Sequence, residues 1–150
     1  MAKLEIHQFP CLNDNYGYLV HEPSSGKTAT IDTPEVKPIL AALAERGWTL
    51  THILNTHHHF DHAGGNAELK EKTGCTVIGP KGEKDKIPGI DRPVGEGDIV
   101  ELGAAQARVI EVPGHTSGHI APLRRNAAAD VDLARQAHDA PRRHHCLLRA

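Results

Sequence analysis

Four histidines and one aspartate crowd into six residues, His57-His58-His59-Phe60-Asp61-His62, within the run Thr56 to Gly65. Neutral imidazoles lose solvation on burial, and crowding them is unfavourable whenever one protonates. A metal ion removes both penalties, because imidazole is its commonest nitrogen ligand and carboxylate a common oxygen ligand. The spacing adds direction. His57 and His59 are two apart, so an extended segment sends both to one side. Asp61 continues that alternation, and His62 points elsewhere. One short turn thus offers ligands in two directions, as two metals a few ångströms apart require. Gly64 and Gly65 permit close backbone approach and a sharp exit into a helix. The bland alternative is a solvated histidine-rich loop. Context opposes it: the cluster follows an apolar, strand-like run, Thr51 to Asn55, precedes a helical pattern, and sits mid-chain.

The segments around the cluster read as alternating strands and helices. Residues 4–9, Tyr16 to His21 and Thr28 to Asp32 read as strands, separated by turn chemistry at Cys11–Asn15 and Ser24–Lys27. Asp32 ends its strand either as a turn or cap residue or as a support beside the metals. Thr33-Pro34-Glu35 predicts a helix start, with the threonine as N-cap, proline in first position and an acid in the first turn. Val36, Ile39, Leu40 and Leu43 then recur at helical spacing until Gly47. His52, on the strand that delivers the cluster, reads as structural. After the cluster come a helix over Asn66 to Thr73, a stop at Gly74 and a strand over Cys75 to Gly79. Strand, helix, strand in that order implies a parallel pair. Residues 80–97 read as a surface excursion, with Lys81, Lys84 and Lys86 on a solvated face. Asp98 to Leu102 and Gln106 to Val112 read as a hairpin.

That hairpin ends in Val112-Pro113-Gly114-His115-Thr116-Ser117-Gly118-His119. A histidine at the tip of a strand, bracketed by glycines, repeats the arrangement of the first cluster. His115 is therefore the candidate third imidazole for the His57/His59 metal, since three histidines plus one open position make a catalytic zinc arrangement. His119 reads as structural or hydrogen-bonding.

Length allows one domain, and a formal charge of −2 argues against a nucleic-acid partner. No run approaches the roughly 18 apolar residues of a membrane span, and the start lacks the apolar stretch of a signal peptide. Cys11, Cys75 and Cys146 are odd in number and scattered, as expected of reduced, buried thiols in a cytoplasmic protein. Composition breaks sharply near residue 120: residues 121–150 carry six of nine arginines and eight alanines, with no glycine and no aromatic. Their charge is +3, against −5 for residues 1–120. The break divides the chain into a 1–120 unit and a 121–150 aberrant or disordered tail, of which a shifted reading frame is one reading and a natural short domain with a helix near 127–138 the rival.

The block His57-x-His59-x-Asp61-His62 resembles the signature of the metallo-β-lactamase superfamily. Within it, the chain is similar to glyoxalase II, the hydroxyacylglutathione hydrolases. The similarity is carried by Leu12 to Val20, Ala29 to Asp32, Thr56 to Gly65, Ile90 to Asp98 and Pro113 to Ile120. It implies an α/β (α+β) fold, the N-terminal half of an αββα four-layer sandwich. It implies two zinc ions, with iron or manganese as alternatives: one held by His57, His59 and His115, the second by Asp61 and His62, with His58 a non-ligating position. It further implies hydrolysis of acylated glutathione of the S-lactoylglutathione type, in methylglyoxal detoxification, with Asp61 orienting the metal-bound hydroxide. Substrate-binding residues are not implied for this part of the chain. The family's later bridging aspartate and further histidine have no clear match. Asp132 and Asp139 lie at tolerable distances, and His138, His144 and His145 are nearby imidazoles, but none follows an apolar strand or adjoins a glycine. The second site is therefore expected to be weak and the half-sandwich marginally stable. Two rival readings are a non-catalytic metal-binding fragment and a mononuclear-iron protein resembling persulfide dioxygenases.

Overall fold

The consecutive apolar pairs Leu19-Val20, Ile53-Leu54 and Val77-Ile78 send their side chains into different cores, and this organises the architecture. A computed structural model describes residues 3–13 and 15–124. Strands β1 (Glu5–Cys11), β2 (Asn15–Glu22) and β3 (Lys27–Ile31) form an antiparallel meander. Helix α1 (Val36–Arg46) then crosses over to β4 (Leu50–Leu54), which lies parallel to β3. The short α2 (Phe60–Ala63) and α3 (Asn66–Thr73) lead to β5 (Thr76–Pro80), parallel to β4 as the strand–helix–strand order predicts. A 3-10 segment, Lys81–Lys86, and the short β6 (Arg92–Val94) complete a six-stranded sheet in the order β1-β2-β3-β4-β5-β6. Strands β7 (Ile99–Leu102), β8 (Ala105–Glu111) and β9 (Ile120–Arg124) make a second, antiparallel sheet.

On one face of the first sheet, Leu19, Ile53 and Val77 pack against Ile39 and Leu43 of α1 and Leu69 of α3. On the other face, Ile78 and Val94 meet Val100, Val109 and Ile120 of the second sheet, while Val20 and Ala29 meet Leu102. Successive residues on one strand thus serve opposite cores, as a strand covered on both faces requires. Helix, sheet and sheet form three layers among the described residues, a mixed α/β architecture. No helix there is long and apolar enough to cross a membrane.

Both helix ends expected at glycine are seen: Gly47 and Gly74 take left-handed φ values of 68° and 69° and cap α1 and α3. The start of α1 differs from expectation. Its N-cap is Glu35, without a side-chain cap hydrogen bond, and Pro34 lies outside the helix. The Thr33 hydroxyl is claimed elsewhere, against the carbonyl of His62 and Asn66 Oδ1. Two strands had no sequence signal. β6 is an edge strand of three residues with Pro93 at its centre, a position where a missing N–H donor is tolerated. β9 continues past residue 120 into the arginine- and alanine-rich stretch and pairs with β8 up to Arg124. The tail beyond it lies outside the described residues.

One buried carboxylate ties the two sheets together. Glu22, 1 % exposed at the end of β2, accepts from Ser24 N–H, the Ser24 hydroxyl and Ser25 N–H, and from Ala104 N–H in the β7–β8 turn. Gly103, at φ 59°, leaves the room this contact needs: a Cβ there would strike Glu22 and Ser25. The Ser24 and Ser25 hydroxyls draw the Glu22 pKa down from 4.5 to about 2. A depressed carboxylate stabilises the fold above its unfolded pKa, and that contribution disappears as pH falls from about 4.5 through 2. Glu22→Gln should therefore lower the urea midpoint at pH 7 and do so much less near pH 2. An equal loss at both pH values would show that the charge is irrelevant.

Candidate metal centre

The parallel strands β3, β4 and β5 all end at the same edge, and the site is built on the segments that leave them, as is usual for α/β sheets. Asp32 follows β3, residues 55–62 follow β4, and Lys81–Lys86 follows β5. The loop after β8 arrives from the second sheet. It is anchored where Ile120 N–H donates to the Thr56 carbonyl at 3.0 Å.

His57, His59 and His115 offer ring nitrogens that all lie within 4.8 Å of one another. Their rings meet at centroid separations of 4.8, 4.8 and 4.6 Å and stand at 81°, 88° and 87° to each other. Three mutually perpendicular imidazoles do not stack; they converge on a point. His59 Nδ1 and His115 Nε2 are 2.9 Å apart. Tetrahedral nitrogen ligands at about 2.0–2.1 Å from zinc stand roughly 3.3 Å apart, so a small cation needs only a slight widening. His57 is fully buried, and its Nε2 has no hydrogen-bond partner among the described residues. A buried, orphaned ring nitrogen is costly unless something absent from a bare protein chain satisfies it. This donor set fits a divalent metal with imidazole preference.

The expected second pair is also side by side. His62 Nε2 lies 3.5 Å from Asp61 Oδ2. The extended alternation read from the sequence would send the two apart; instead Asp61 and His62 sit on α2, whose helical turn begins right after His59. Asp61 keeps 42 % of its side chain exposed, whereas His62 is buried at 1 %. A second convergent group is formed by Asp32, His57 and His62.

Asp32 does more than end a strand: its carboxylate is bonded to the segment that carries the histidines. It is completely buried, at φ 59°. Its Oδ1 accepts from Thr56 N–H at 2.7 Å, and its Oδ2 accepts from the Thr56 hydroxyl and from His62 Nδ1, both at 2.8 Å. Because the Thr56 hydroxyl donates to Asp32, it must accept from His57 Nδ1, 2.8 Å away. The His57 tautomer follows: Nδ1 carries the proton and Nε2 offers its lone pair. Burial alone would raise the Asp32 pKa, but the neighbouring charge and hydrogen bond of His62 and the donation from Thr56 outweigh it and hold the carboxyl low.

Burial, with help from His62, drives the His57 pKa from 6.5 down to about 3. His59 is lowered too, by desolvation and then by His115. Both are thus neutral and ready to ligate at physiological pH, since a metal takes only the deprotonated ring. His119 is buried with its ring 4.6 Å from that of His57. Its Nδ1 has no hydrogen-bond partner among the described residues, so the hydrogen-bonding role expected for it is not seen at that atom. His52 is remote from the cluster and pairs with the Thr51 hydroxyl. Cys11 and Cys75 are free and buried, as expected. Burial and then Glu35 push the Cys11 thiol up to about 12, which removes it as a nucleophile at neutral pH. Asp132, Asp139, His138, His144, His145 and Cys146 lie outside the described residues.

The profile of the metallo-beta-lactamase superfamily matches residues 23–127. The chain belongs to the metallo-β-lactamase superfamily. Among its relatives, the hydroxyacylglutathione hydrolase of Hyphomonas neptunium is 67 % identical over 118 residues, covering 79 % of this chain and 46 % of the relative. That of Methylococcus capsulatus is 58 % identical over 118 residues, with 79 % and 46 % covered. The chain therefore spans about half the length of the curated relatives it matches. Among solved structures, ETHE1 from Myxococcus xanthus superposes with a TM-score of 0.68 at 31 % identity, covering 80 % of this chain and 53 % of that one. A metallo-beta-lactamase from Staphylococcus aureus superposes at 0.71 with 23 % identity, covering 84 % and 40 %, and shares the fold.

Proposed function

We propose that this chain carries the metal-binding part of a cytoplasmic zinc hydrolase that cleaves thioesters of glutathione, S-lactoylglutathione among them, in methylglyoxal detoxification. The observation that carries the reading is the convergence of His57, His59 and His115 in a chain up to 67 % identical to hydroxyacylglutathione hydrolases. His57, His59 and His115 would hold the first ion, and Asp61 and His62 would contribute to a second. Bound there, a divalent cation acidifies water from about 15.7 toward about 7 and polarises a carbonyl oxygen. The chain's own residues do the rest. Asp32 and Thr56 keep the His57 ring in the tautomer that presents Nε2. The half-exposed Asp61 carboxylate would orient the attacking water. No nucleophilic side chain is required: the sequence has no Gly-x-Ser-x-Gly elbow, and the buried Cys11 thiol does not ionise at neutral pH.

Two protein ligands hold a metal poorly, so the expected stoichiometry is one firm zinc per chain and a second, weaker one. Elemental analysis after dialysis measures it. S-lactoylglutathione cleavage is then followed in zinc-loaded wild type and in His115→Ala. A rate above that of free zinc, lost in the variant, supports the hydrolase. Firm metal without turnover leaves a metal-binding fragment instead, and firm iron with oxygen consumption leaves the persulfide-dioxygenase-like alternative.

A further inference from the structure

The lysine-rich segment after β5 conceals a carboxylate that the reaction scheme does not use. Glu83 stands among Lys81, Lys84 and Lys86, all exposed, yet is itself only 4 % exposed. Its Oε1 accepts from the backbone N–H of His58 at 3.0 Å and also contacts His58 Nδ1. Its Oε2 accepts from the Thr116 hydroxyl at 2.6 Å. The two oxygens therefore grip two loops that are far apart in sequence, one between the ligand positions His57 and His59, the other adjoining His115. The fit is tight. A Cβ on Gly118 would lie 2.8 Å from Glu83 Cγ and Oε2, so the glycine leaves the space this side chain fills.

Burying a carboxylate is costly unless its lone pairs are satisfied. Among the described residues no lysine or arginine pairs with Glu83; what compensates it is donation from the two histidine loops. The His115 loop needs such a tether. His115 is exposed, and its ring has to be held against rings 56 and 58 residues earlier in the chain. A site ligand loose by an ångström is a poor ligand.

We infer that Glu83 is a positioning residue for the metal centre: its carboxylate clamps the His57–His59 loop to the His115 loop and so sets where His115 stands. The inference rests on the metal-binding reading above. Cobalt(II) titration monitored by visible absorption tests it, with circular dichroism as the check on folding. Glu83→Ala should weaken cobalt binding about 10–100-fold, the range typical of residues that orient ligands, and alter the d–d bands. Glu83→Gln, which keeps an accepting oxygen, should recover part of the loss. In a His115→Ala background, Glu83→Ala should add less than about twofold, because the ligand it positions is already gone. Should Glu83→Ala fail to fold, Thr116→Val removes one arm of the clamp and should weaken binding several-fold. Wild-type affinity and bands in the folded Glu83 or Thr116 variants overturn the inference, as does an undiminished Glu83 effect without His115. A wild-type chain that takes up no cobalt overturns the metal reading together with it.

Discussion

Replacing His57 by alanine should abolish the firm metal site while leaving a folded chain. His57 is the innermost of the three imidazoles, and its ring lies within 4.1–4.8 Å of those of His59, His62, His115 and His119. Its Nε2 is the ring nitrogen that gains most from an ion, since no protein group satisfies it among the described residues. Without it, His59 and His115 remain, and two ligands do not define a tetrahedral site. The loss in affinity should exceed the ~10–100-fold typical of outer residues that orient ligands. Thermal unfolding gives an independent reading. An ion that binds only the native chain at 100 times its Kd adds about 2.7 kcal/mol, on the order of 10 °C for a domain of this size. Wild type should show that rise with zinc, and His57→Ala should not. His52→Ala is the control, because His52 lies on the same strand system but contacts the Thr51 hydroxyl instead of the cluster. A zinc-dependent rise that persists in His57→Ala would remove this residue from the site.

Much of this centre was legible because two short motifs carry it. The spacing of His57 and His59, and the glycine-bracketed His115 at a strand tip, sufficed to bring three rings into one expected cluster, and the structure brings those rings together. What escaped was whatever depended on partners distant in sequence. Thr33 had the composition of a helix cap, but tertiary structure claims its hydroxyl for His62 and Asn66, and local propensity yields to that. An extended alternation set Asp61 beside His57 and His59 and sent His62 elsewhere, whereas α2 carries both through a helical turn. Glu83 was hidden by its lysine neighbours, since a charge in a polar run carries no signal of burial. Strand β9 was masked by composition: alternation is weak in Ile120-Ala121-Pro122-Leu123-Arg124, and its pairing is dictated by β8.

The largest loss of stability should come from Asp32→Ala. The side chain is fully buried and is the acceptor for three donors, Thr56 N–H, the Thr56 hydroxyl and His62 Nδ1–H. Alanine leaves those donors in a site where water has no ready access, and each stranded buried donor costs about 1–3 kcal/mol. Removing one partner of a buried charged network costs about 3–5 kcal/mol, a large part of a net stability of about 5–15. The backbone adds to this, since φ is 59° at position 32, a conformation aspartate and asparagine tolerate better than alanine. Asp32→Asn separates the two contributions. It keeps the tolerant backbone and one accepting oxygen, but its amide nitrogen must face either Thr56 or His62, both of which donate. The asparagine variant should therefore fold with intermediate stability yet bind zinc about 10–100-fold more weakly, because the Thr56 hydroxyl no longer has to accept from His57 and the ring tautomer is freed. Urea unfolding of the metal-free chain measures the first effect, and nitrogen chemical shifts of the His57 ring report the second. A loss below about 1 kcal/mol in Asp32→Ala, with the His57 tautomer unchanged in Asp32→Asn, would mean that the metal loop holds its imidazoles without this carboxylate.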